Sequence, residues 1–157
     1  GRMVDEARRE QIVDGLTRCY WLEIEAAINF ISSSINPDGV RAAEIKQSLA
    51  ADVQAEVGHA QLLAGRIKEL GGTVPGSLAF KPSQHFLQPP SDSTDLVSVI
   101  RGVIQVEAAV IDVYNEVIRL CDGTDYVTQD ICIRCLADEE THKVEFEGFL
   151  KEYETRA

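Results

Sequence analysis

Apolar residues recur at alternating steps of three and four over four long stretches, with polar residues filling the positions between. The first repeat runs Ile12, Leu16, Cys19, Glu23, Ala27 and Phe30; the second runs Leu49, Val53, Glu56, Ala60, Leu63, Ile67 and Leu70. The third reads Leu96, Ile100, Val103, Glu107, Val110, Tyr114, Val117 and Cys121, and the fourth Cys132, Cys135, Glu139, His142, Phe146 and Phe149. This period is helical, and no alternating run suggests a strand. An all-α chain is expected, with helices over 5–34 and 40–70, a third from the capping cluster at 91–94 to residue 120 or 121, and a fourth over 124–153.

The punctuation between the stripes sets the topology. Asn36-Pro37-Asp38-Gly39 separates the first two helices, with Asn36 placed to cap the second and Pro37 suited to its first turn. Gly71-Gly72 followed by Pro75 closes the second helix, and Asp122-Gly123 turns between the third and fourth. Residues 72–91 carry Pro75, Pro82, Pro89 and Pro90, so they form neither helix nor central strand but a long crossover. Two antiparallel hairpins joined by one long connection make a four-helix bundle with a single crossover. The 157 residues suit a single domain spanning 1–157, with Gly1 and Arg2 set aside as leftovers ahead of Met3.

Charge narrows the function. A formal net charge of -11 repels phosphate backbones and anionic lipid, so nucleic acid and membrane are poor partners. Arg2, Arg8 and Arg9, diluted by Asp5, Glu6 and Glu10, read as a solvated helix end. No stretch reaches the roughly 18 apolar residues of a bilayer span and no signal-peptide core is evident, which points to the cytoplasm. Four cysteines do not make a disulfide scaffold in a chain of this size.

The unusual feature is acid inside the stripes. Glu107 is flanked by Val103, Ile104, Val106, Ala108, Ala109, Val110 and Ile111, so no rotation of the helix brings it into ample water. An unpaired buried carboxylate costs several kcal/mol or takes up a proton. Every helix carries such a glutamate (Glu23, Glu56, Glu107, Glu139), and two add a histidine three residues later, His59 and His142. Glu107 and Glu139 are equidistant from Gly123, and Glu23 and Glu56 nearly so from Gly39, which brings all four to mid-bundle within about a turn, roughly 5 Å. Glu25 rivals Glu23 but points roughly 200° away around the helix. His85, in the crossover, reads as a loop residue. Tyr20 and Tyr114 are either phenols behind the site or ordinary seam packing.

Four carboxylates and two imidazoles on converging helices match a dinuclear metal site. Two divalent cations would neutralise the acids, and oxygen-rich ligation with one nitrogen per metal suits iron, or alternatively manganese. Metals roughly 3.5–4 Å apart would let Glu56 and Glu139 bridge, with Glu23 and His59 on one ion and Glu107 and His142 on the other.

The stretches Asp125-Tyr126-Val127-Thr128-Gln129-Asp130 and Cys135-Leu136-Ala137-Asp138-Glu139-Glu140-Thr141-His142 resemble the fourth helix of bacterioferritins. Glu56-Val57-Gly58-His59-Ala60 and Leu70-Gly71-Gly72 resemble their second, and Glu23 through Phe30 their first, with Phe30 where that family usually has tyrosine. The resemblance implies a ferritin-like fold and a ferroxidase, in which Fe(II) is oxidised by O2 or H2O2 at Glu23, Glu56, His59, Glu107, Glu139 and His142 and stored inside a homo-oligomeric shell. Val57 replaces the methionine that holds haem in bacterioferritins, so no haem is expected. Ala51 and Ala55 stand where some members bind an extra iron on the cavity wall. Too little chain follows His142 for the fifth helix of 24-subunit cages, which favours a 12-subunit shell like that of Dps-like relatives. Some of these, the thioferritins, carry a cysteine pair near the metals; Cys19, Cys132 and Cys135 lie one to two turns from Glu23 or Glu139, and packed reduced thiols account for them slightly better than that motif does.

A second reading is a small di-metal oxidase or peroxidase with rubrerythrin-like chemistry and no storage. Cys132-x-x-Cys135, alone and within a helix, lacks the second such motif of a rubredoxin module. A third is a metal-binding or interaction bundle without catalysis.

Overall fold

The computed structural model describes residues 5–155, so Gly1, Arg2 and Met3 lie outside the described residues. Four helices follow in order: α1 (Glu6–Ile35), α2 (Ala42–Glu69), α3 (Leu96–Cys121) and α4 (Tyr126–Thr155). α1 pairs with α2 and α3 with α4 along their lengths, α1 lies against α3, and α2 meets α4 more sparsely. No strand occurs among the described residues.

Local chemistry accounts for most helix ends. Asp5 caps α1 by accepting the Arg8 N–H, Asp95 caps α3 by accepting the Ser98 N–H, and Asp125 accepts the Thr128 N–H at the start of α4. At the end of α2, Gly72 N–H bonds to Ile67 O at 2.9 Å and Gly71 N–H to Lys68 O at 3.0 Å. These two bonds require a left-handed residue, supplied by Gly71 with φ +85°. Two boundaries depart from expectation: α3 is capped by Asp95, just beyond the 91–94 cluster expected to start it, and the start of α2 also differs. Asn36 ends α1, its N–H bonding Ser32 O, and α2 begins only at Ala42 without a side-chain cap. Asn36 keeps right-handed helical angles (φ -71°, ψ -34°), so it completes the first helix and does not open the second.

Arg8 and Arg9 also depart from the solvated-end reading. Arg8 Nη1 donates to Leu120 O and Arg9 Nη1 to Leu70 O, each at 2.8 Å, so α1 satisfies the last carbonyls of α3 and α2.

The crossover contains two short 3₁₀ turns, Ser77–Ala79 and His85–Leu87. Glu25 anchors it: its buried carboxylate accepts the backbone N–H groups of Ser83 at 3.0 Å and Gln84 at 2.8 Å. Asn29 Nδ2 donates to Gln84 Oε1 at 3.0 Å. Leu87 then sits buried over Gly102, where any Cβ would collide with the Phe86 carbonyl and Leu87.

The apolar core is in two pieces. One, with Ile12, Leu16, Leu63, Ile67, Tyr114, Val117 and Cys132, fills the end where α1 begins. The other, with Phe30, Ile45, Leu49, Ile100, Val103 and Phe146, fills the opposite end. Between them lies a layer of acids and histidines.

Candidate metal centre

The helical phase found in the sequence delivers Glu23 from α1, Glu56 and His59 from α2, Glu107 from α3, and Glu139 and His142 from α4 to this middle layer. All four glutamates are 0% exposed, and His59 is 5% exposed. Two overlapping groups form: Glu23, Glu56, His59 and Glu139; and Glu56, Glu107, Glu139 and His142. Within each, one ligand atom per residue lies within 4.8 Å of the others, and Glu56 and Glu139 are common to both. Glu25 is not among them, since its carboxylate holds the crossover. Exposed His85 lies in a 3₁₀ turn of the crossover, away from both groups.

His59 Nδ1 lies 2.5 Å from Glu23 Oε2 and 2.8 Å from Glu139 Oε1, while Nε2 contacts Asp138 Oδ2 at 2.8 Å. His142 Nδ1 is 3.5 Å from Glu56 Oε1 and 3.8 Å from Glu139 Oε2, and its Nε2 is 3.3 Å from Asp52 Oδ1. Each imidazole thus turns one nitrogen to the cluster and the other to an outer carboxylate, an arrangement that fixes ring orientation and raises basicity. Asp52 and Asp138 were not singled out by sequence reasoning. The helical phase carries a signal for Asp52: it lies one turn before Glu56 and is buried, whereas Val53, the apolar member of the stripe, is only partly buried. Tyr114 resolves as a phenol at the site, donating to Glu23 Oε2 at 3.2 Å. Tyr20 packs against the apolar cluster and Trp21.

Six oxygens of the four glutamates are buried without any hydrogen-bond partner: Oε1 of Glu23, both oxygens of Glu56 and of Glu107, and Oε2 of Glu139. A carboxylate is acceptor-only, so these atoms need donors or cations, and no donor among the described residues bonds to them. The donor set of oxygens with one imidazole per group therefore fits a pair of hard-to-borderline divalent ions.

Proton affinities register the same crowding. Burial, then repulsion from Glu56 and Glu139, pushes the Glu23 carboxyl well above its ordinary range. Burial raises Glu56 too, and raises Asp52 to about 6. Burial also opposes ionisation of Glu139, yet the nearby imidazoles of His142 and His59 outweigh it and bring this acid down. For the imidazoles, burial disfavours charge, but Glu139 and Asp138 lift His59 to about 9, and Glu139 and Glu56 lift His142 to about 10. Protons thus hold the places that cations would take.

Beyond Tyr114 lie the buried free thiols of Cys19, Cys132 and Cys135, with Cys121 nearer the chain turn. Burial pushes all four up, Cys135 and Cys121 to about 11, so they are protonated and weakly nucleophilic near neutrality.

Two helical hairpins, one crossover and a mid-bundle layer of carboxylates and histidines define the class of ferritin-like four-helix bundles. The chain belongs to the ferritin family: that family's model, described as a ferritin-like domain, matches residues 14–155. Among solved structures, the chain is similar to a dodecameric thioferritin, the bacterioferritin-related protein of Bacteroides fragilis, at 25% identity and TM-score 0.83, covering 94% of this chain and 89% of that one. It is similar in fold to the Desulfovibrio desulfuricans bacterioferritin, whose diiron site was captured in different catalytic states, at 20% identity and TM-score 0.81 over 96% of this chain and 84% of that one. A Mycobacterium smegmatis Dps shares the fold at 17% identity and TM-score 0.82, with 96% and 92% covered. No curated protein matches the chain.

Proposed function

We propose that the chain is a ferroxidase that oxidises Fe(II) with O2 or H2O2 and stores the product in a homo-oligomeric shell. The observation carrying this is the set of six unpartnered buried carboxylate oxygens arranged in two overlapping groups. Iron is the substrate: with peroxide, two Fe(II) each give one electron and two protons are consumed, yielding two Fe(III) and two waters. Glu23 and His59 would hold one ion, Glu107 and His142 the other, and Glu56 and Glu139, common to both groups, would be shared between them.

The protein's own part is positioning. Asp138 and Asp52 hold the histidine rings from behind, the apolar clusters on either side exclude water, and the buried acids supply the negative charge that draws cations in. A shell agrees with the dodecameric assembly of the thioferritin relative. Exposed Ile28, Ile31 and Ile35 recur on one face of α1 and offer an apolar strip for a second copy. No helix among the described residues is long and apolar enough to cross a membrane.

Adding Fe(II) aerobically to metal-free protein tests the reading. Fast oxidation and uptake far beyond two irons per chain, in an assembly whose mass corresponds to about twelve chains, is the expected result. Oxidation that stops near two irons in a small oligomer would favour the oxidase alternative. Glu107→Ala should lose fast oxidation while remaining helical by circular dichroism; unchanged kinetics would refute the site.

A further inference from the structure

Tyr114 is fully buried on the core face of α3, and its O–H donates to Glu23 Oε2. The same oxygen faces His59 Nδ1, so Oε2 is engaged twice while Oε1 has no partner. Glu107, the corresponding acid of the other group, has neither oxygen engaged. The outer supports are unequal as well: Asp138 holds His59 at 2.8 Å, against 3.3 Å between Asp52 and His142.

These differences have a consequence for metal loading. A cation held by His59 Nδ1 would occupy that nitrogen and take the place of its contact with Glu23 Oε2. The Tyr114 O–H then remains as the donor on Oε2. A buried phenol O–H aimed at this carboxylate oxygen is a donor near neutrality. Its ring is wedged in the apolar cluster with Cys19 and Cys135, which fixes the direction of the hydroxyl.

Resting on the dinuclear reading above, we propose that Tyr114 is a positioning residue that makes the two metal positions unequal. By holding Oε2 of Glu23 it presents Oε1 to the cation, so the Glu23–His59 position is organised in advance and fills first. The Glu107–His142 position, whose acid nothing holds, fills second. Loss of an outer hydrogen bond of this kind typically weakens metal binding about 10–100-fold.

The test is anaerobic titration of metal-free protein with Co(II), followed by calorimetry and visible absorption. Wild type should take up two Co(II) per chain in two resolved steps. Tyr114→Phe, which keeps the ring and its packing, should weaken the first step at least about tenfold, alter the absorption of the first Co(II), and leave the second step in place. Glu107→Gln should lose the second step and keep the first. Four results overturn the inference alone: two Co(II) binding to wild type in one step, an unchanged first step in Tyr114→Phe, equal weakening of both steps in that variant, or loss of the first step in Glu107→Gln. Wild type binding no Co(II) would overturn the proposed function as well.

Discussion

At His59 and His142 the metal-free protein is held together by protons, and this fixes how it responds to pH. Both imidazoles lie above their ordinary 6.5, at about 9 and about 10, and Asp52 lies above 3.8, at about 6. Glu23 and Glu56 are raised from 4.5 in the same sense. A group with a raised folded-state pKa binds more protons in the native state, so its stabilisation is complete below the unfolded value and is lost as pH climbs through the folded one. Glu139, lowered, runs the other way, but only below about pH 4.5. Metal-free protein should therefore lose thermal stability steadily from about pH 5 to about pH 10. Divalent metal must displace those protons, so its affinity should rise across the same window and binding should release protons into weak buffer. Thermal unfolding and calorimetry in buffers of different ionisation enthalpy measure both; an apoprotein whose midpoint rises from pH 6 to 9 would contradict this account. At this same scale all six residues of the cluster are legible in the sequence: each acid interrupts an apolar repeat at one helical phase, and His59 and His142 each follow one of these acids by three residues. The sequence did not expose Asp138, which is a largely exposed neighbour of Glu139 whose role depends on where α2 places His59. Such a contact between helices leaves no trace in the period of either one.

Among the elements, α1 shows why two acids two residues apart have separate fates. Glu23 points to the bundle axis, whereas Glu25 turns to the crossover and accepts the N–H groups of Ser83 and Gln84. The two variants should separate cleanly. Glu25→Ala leaves those backbone donors unsatisfied beside a buried side chain and should cost about 2–3 kcal/mol in urea unfolding, with Co(II) stoichiometry unchanged. Glu23→Ala should reduce metal binding without a comparable loss of stability. Reversal of the two phenotypes would mean that the wrong glutamate has been placed in the site. The four helices were readable because their stripes are long and bounded by glycine and proline. The crossover's path was not, because it is set by single side-chain bonds to backbone, from Glu25 and Asn29, and by the close approach of Leu87 to Gly102. The start of α2 escaped for a related reason: Asn36 and Pro37 suit the end of one helix as well as the beginning of the next, and the chain uses Asn36 for the former.

Across the whole molecule, the two apolar clusters would make one continuous core if the layer between them were also apolar. Buried Val103, Val106 and Val110 lie around Glu107 on α3, and neither oxygen of that acid has a partner. Charge in such a place opposes folding unless a cation or proton compensates it, and exchanging buried ionic groups for apolar ones of similar volume often stabilises by 1–4 kcal/mol. Glu107→Leu should then raise the unfolding midpoint of metal-free protein above that of wild type. Divalent metal should stabilise wild type through linkage to the native state, and this gain should shrink sharply in the variant. The midpoints would cross as metal is added, with the variant more stable without it and wild type more stable at saturation. A Glu107→Leu protein that is less stable than metal-free wild type would show that the acid layer is an ordinary part of the core and carries no strain for metal to relieve.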